Sequence, residues 1–110
     1  MSALQIYITF AGAWHLINGI LHTFFVLRQK RKYDKELIRL LMDGHILIFA
    51  GIMYLICIQS LAENSQLAEI ICFSNSLFVL GYCAIIYRIL PSITTIIINL
   101  VAFTWLITAL

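Results

Sequence analysis

All seven Lys and Arg residues fall in two places: Arg28, Lys30, Arg31, Lys32, Lys35 and Arg39 lie close together, and Arg88 stands alone ahead of Pro91. Long apolar stretches separate and follow these basic segments. This is the pattern of a chain that crosses a bilayer repeatedly and keeps its Lys/Arg-rich connections on one side. With 63% hydrophobic and 11% charged residues over 110 positions, a water-soluble domain would lack the polar surface to cover itself.

Four apolar stretches account for nearly the whole chain: 3–27, 37–60, 66–87 and 92–110. Each is near the ~20 residues that cross ~30 Å of hydrocarbon as a helix. The first stretch has no basic leader and no small-residue cleavage site, so it reads as a retained span and not a signal peptide. The connections 28–36, 61–65 and 88–91 are short and force neighbouring helices to run antiparallel. The expected fold is therefore an all-α integral membrane protein, a single up-down-up-down bundle of four transmembrane helices.

Every cation lies on one side if both termini are non-cytoplasmic. The connection 61–65 carries Glu63 and Asn64 and no Lys or Arg. A bacterial inner membrane fits, with basic connection 28–36 in the cytoplasm. The alternative is a mitochondrial inner membrane, with that connection in the matrix. The net charge of +2 is not a nucleic-acid footprint; the cations read as topology signals and contacts to anionic lipid. Cys57, Cys72 and Cys83 all fall inside spans and read as packing residues, although a Cys57–Cys72 disulfide is open to consideration.

Polar side chains inside spans usually face the bundle interior. His15, Asn18 and His22 lie within about 60° of one another on a helix. Gly12 and Gly19 border that face, and Gly44 and Gly51 repeat the seven-residue spacing in the second span. The two glycine faces are expected to meet. Asp43 lies four residues after Arg39 and is expected to pair with it. Counting residues from the basic boundary puts His22, His45 and Asn99 in one slab roughly 8–12 Å deep. His15 falls deeper, level with Asn75. Ser and Thr in the last two spans are expected to bond their own helix carbonyls. Tyr7 and Trp105 are expected at the membrane interface or facing lipid.

The candidate site lies between the first, second and fourth spans, lined by His15, Asn18, His22, His45 and Asn99. It supports several readings. The first is a small accessory or ligand-binding subunit, packed against itself as an oligomer or against other membrane subunits. The second is a redox subunit holding haem b between His22 and His45, or a quinone hydrogen-bonded by His, Asn and Tyr82. The third is a small transporter with a His15/Asn18/His22 polar path, since imidazole titrates near neutrality. An enzyme is the least supported class: GxSxG, HExxH, CxxC and a glycine-rich phosphate loop are all missing from the sequence.

Overall fold

The computed structural model describes residues 2–88 and 91–109. Helices α1 (Ala3–Arg28), α2 (Lys35–Ile56), α3 (Ile58–Ala62), α4 (Gln66–Ile86) and α5 (Ile93–Ala109) follow one another, with no strand among the described residues. Leu110, the last residue of the fourth expected span, and Ile89–Leu90 of the third connection lie outside the described residues.

Local chemistry sets the helix starts. Ser2 forms a capping box with Gln5: its Oγ accepts from Gln5 N at 3.2 Å, and Gln5 Oε1 accepts from Ser2 N at 2.7 Å. Asp34 caps α2 through Leu37 N at 3.0 Å, and Ser65 caps α4 through Ala68 N at 3.3 Å. Lys30, with φ 51°, takes the left-handed conformation just beyond α1. The 37–60 stretch is not one unbroken helix, because it turns at Cys57 into short α3.

Three helical stretches are long and apolar enough to cross a membrane: α1 with 26 residues, Lys35–Ala62 with 28, and α4 with 21. Helix α5 has 17 residues and reaches about 26 Å. Large apolar side chains such as Phe10, Phe24, Phe49, Phe78 and Ile85 point outward on all the long helices except α5, where Ile97 and Ile107 do so. An apolar surrounding suits that surface.

The glycine faces meet. A Cβ on Gly19 would sit 2.7 Å from Gly44 O, and one on Gly51 would sit 2.6 Å from Leu16 N. Backbone therefore packs on backbone along α1 and α2. The pairing of Gly12 with Gly51 and of Gly19 with Gly44 makes the two helices antiparallel. The α4–α5 pair is held instead by side chains. Phe73 and Phe103 stack at 4.9 Å, and Ile96 packs on Val79 and Cys83. The main core, with Ile8, Ala11, Tyr54, Cys57, Cys72 and Leu106, fills the half away from the basic connection. Cys57 and Cys72 are buried free thiols within it.

Candidate functional site

The bundle holds one closed polar network. His15 on α1, fully buried, directs Nδ1 at the Ala11 carbonyl of its own helix. A carbonyl only accepts, so Nδ1 carries the hydrogen and Nε2 is left as an acceptor. Asn99 on α5 donates from Nδ2 to His15 Nε2 at 2.8 Å and to Thr95 O at 2.8 Å. Tyr54 on α2 donates its hydroxyl to Asn99 Oδ1 at 2.7 Å and meets the imidazole edge-on at 5.6 Å. Three helices are joined, and both imidazole nitrogens are engaged. Such a network fixes the register of α5 against α1 and α2. It offers no free nitrogen to a ligand.

Of the expected site residues, the structure brings His15 and Asn99 together. Asn18 closes on its own helix, with Nδ2 donating to Trp14 O at 2.8 Å. His22 reaches across to α2, where Nε2 donates to Leu40 O at 2.9 Å. His45 is exposed, and its Nδ1 donates to Leu41 O at 2.7 Å. His22 thus sits in the α1–α2 seam while His45 lines the side of α2 that faces α4. Asn99 does not share a slab with them, because it bonds the deeper His15. Counting along a span misplaces it, since α5 begins at Ile93 and is shorter than the other spans.

Two further expectations change. Tyr7 turns inward, donating its hydroxyl to Ile98 O at 2.6 Å with Trp105 5.7 Å away, and so seals α1 on α5. Asp43 does not pair with Arg39: the one ion pair among the described residues is Arg31–Glu36 at 3.5 Å. Helical side chains lean toward their own N-terminus, which carries Arg39 toward the basic end while Asp43 faces inward, 5% exposed. The expectation for hydroxyls of the last two spans holds at Ser76, Thr104 and Thr108, each bonded to a carbonyl of its own helix, whereas Ser92 donates to Thr95 Oγ1 at 2.8 Å.

Between α2 and α4 lies an open cleft of about 580 Å³. Met42, Ile46, Phe49 and Met53 form one wall, and Ile70, Phe78 and Val79 the other. Its polar points are His45, Ser74 and Asn75. Asn75 is 9% exposed and donates from Nδ2 to Ala50 O at 2.9 Å. Its Oδ1 accepts from no donor among the described residues. With Nδ1–H committed to Leu41 O, His45 Nε2 is an acceptor as well. The cleft is therefore apolar, open sideways and edged by two unused acceptors. They lie about 8 Å apart along the axis, since His45 and Ala50 are five residues apart.

Tyr54 and the acceptor role of Asn75 are features of the candidate site that sequence reasoning missed. The available signal was the stripe Asp43, Ala50 and Tyr54, which falls within about 40° on α2 beside the glycine face. No group of three or more His, Cys, Asp or Glu able to hold a metal ion occurs among the described residues. No known protein family, curated protein or solved structure matches the chain.

Proposed function

We propose that this chain is an integral membrane protein of four spans. It would serve as a small ligand-binding accessory subunit, with the basic connection on the cytoplasmic or matrix side. The α2–α4 cleft takes a lipid-like molecule with an apolar body and a hydroxyl donor at its polar end. The observation that carries this reading is an apolar cleft edged by two unused acceptors, His45 Nε2 and Asn75 Oδ1, with the Ser74 hydroxyl as a third polar group. A hydroxyl supplies the missing hydrogen, and the Met, Ile and Phe walls take the chain or ring. The lateral opening lets such a molecule enter from the bilayer.

Among redox ligands, the same geometry favours a quinol over haem b. A quinol carries two hydroxyl donors for two acceptors, whereas axial haem ligation needs two imidazoles facing one iron. His22 is bonded to Leu40 O in a different seam from His45. The proposed transport path has less to support it, since His15, Asn18 and His22 each bond backbone or Asn99 and not one another.

The experiment is extraction into lipid nanodiscs, followed by organic extraction and mass spectrometry of small molecules retained in proportion to protein. Wild type is expected to retain one hydroxylated apolar species. Ser74→Trp, which fills the cleft from an exposed position, is expected to lose it, and His45→Leu to retain at most about a tenth. Retention unchanged in both variants, or no species above the bulk-lipid background, would remove the reading.

A further inference from the structure

Asp43 lies beyond everything the cleft explains. It is a carboxylate 95% removed from solvent, on the face of α2 that also carries Ala50 and Tyr54. Among the described residues it accepts no hydrogen bond and has no cation within ion-pair distance. Ionising a carboxylate so far from water is costly, and neither a hydrogen bond nor an ion pair among the described residues offsets it.

Two other groups stand unpartnered in the same layer. Thr23 Oγ1 on α1 is buried without a hydrogen-bond partner. Unlike Thr9, Thr104 and Thr108, it does not bond its own helix carbonyl. Its oxygen rests against Gly44, the residue next to Asp43. The Tyr82 hydroxyl on α4 is also buried and unpartnered. The tyrosines of the main core differ, since Tyr7 and Tyr54 both donate. The Asn75–Ala50 bond fixes the α2–α4 register. Seven residues on along α4 and seven back along antiparallel α2, Tyr82 and Asp43 share a layer. One carboxylate and two hydroxyls, from three helices, are the groups the packing leaves unsatisfied at this end of the bundle.

We infer that Asp43, Thr23 and Tyr82 form an oxygen-lined site for an exchangeable monovalent cation, either a proton or sodium. The carboxylate supplies the charge. The hydroxyls supply oxygen lone pairs to a bound cation. Titratable and charged neighbours are few. They are His22 from α1, Arg39 one turn toward the basic end, and Tyr82 and Cys83 from α4. His22 Nε2 is committed to Leu40 O. On the α1 side the packing is close, since Gly44 has no room for a Cβ against Thr23.

The test is labelling of the full chain in nanodiscs with a hydrophobic carbodiimide, which adds to a protonated carboxyl shielded from water. The adduct is located by peptide mass spectrometry. Modification is expected at Asp43 and to be suppressed by alkali. Asp34, Glu36 and Glu63, exposed at the helix ends, should stay unmodified. Suppression by sodium at constant pH assigns the ion as sodium, and suppression by alkali alone assigns a proton. Either result supports the site. Thr23→Val and Tyr82→Phe, which remove one hydroxyl each and keep the volume close, should shift the suppressing concentration about tenfold. Asp43→Asn should abolish the adduct while keeping the fold. An unmodified Asp43 across the accessible pH range would overturn the inference. So would suppression that neither hydroxyl variant moves.

Discussion

The two halves of this bundle are held together by different physics. In the α1–α2 half, four glycines remove side chains from the contact and backbone lies on backbone. In the α2–α4 half, large side chains meet across a gap, and the one hydrogen bond between the two helices among the described residues is Asn75 to Ala50 O. The first half has no room to change. The second has volume to spare, and the unused acceptors His45 Nε2 and Asn75 Oδ1 border it. In lipid there is no hydrophobic force between helices, so close packing decides which pairs stay together. A tight pair can then act as a scaffold on which a looser helix leaves space for a ligand.

The sharpest way to break this contrast is to put bulk into each half. Gly19→Leu or Gly51→Leu drives a side chain into Gly44 O or Leu16 N, and should cost about 3 kcal/mol or more or abolish folding. Ser74→Trp, placed in the open half, should change stability by no more than about 0.5 kcal/mol. Helicity followed through a denaturing-detergent titration compares the two directly. If both substitutions cost the same, the two halves are equally packed and the contrast is wrong.

The next effect concerns the bridge between the halves. Asn99→Leu strands His15 Nε2 and the Tyr54 hydroxyl, and should cost about 2 kcal/mol, near the upper range for polar loss within a membrane bundle. His15→Leu and Asn99→Leu together should cost less than their sum by about 1 kcal/mol, whereas His22→Leu and His45→Leu should add. A double-mutant cycle on each pair gives the answer. Coupling between His22 and His45 would reinstate a shared site for those two imidazoles.

The smallest effects lie at points where nothing touches. A Cβ on Gly81 meets no atom within 4 Å, so Gly81→Ala should raise stability by about 0.5 kcal/mol through helix propensity. Lys30→Gly relieves a left-handed residue and should add about 1 kcal/mol. Thermal unfolding of both variants in one detergent ranks them. Destabilisation at Gly81 would reveal a neighbour on that face.

Much of the scaffold was legible in the sequence because it depends on local spacing. The apolar stretches gave the long helices, and the seven-residue glycine repeats gave the α1–α2 contact. The site was legible only on the helix that carried it most densely. His15 stood out on α1, yet its partners Tyr54 and Asn99 come from helices whose relative depth is fixed by packing. Tyr54 lies in an apolar run and reads as one more hydrophobic residue until Asn99 is placed opposite its hydroxyl. Asp43 misled for a related reason. An Arg39 four residues earlier satisfies the rule for an exposed helix pair, but that rule presumes both side chains lie on a free surface. Here one of them points inward.

The Asn99 contacts also impose an order of events on assembly. Helices α1 and α2 are synthesised first and can dock through their glycines, yet His15 and Tyr54 then present an acceptor and a donor with no fixed partner. Only when Asn99 arrives on α5 are both answered, by opposite ends of one amide. The docking of α5 is therefore reported by whether these two groups are still open. Before α5 docks these polar groups are displayed, and once it docks they are concealed.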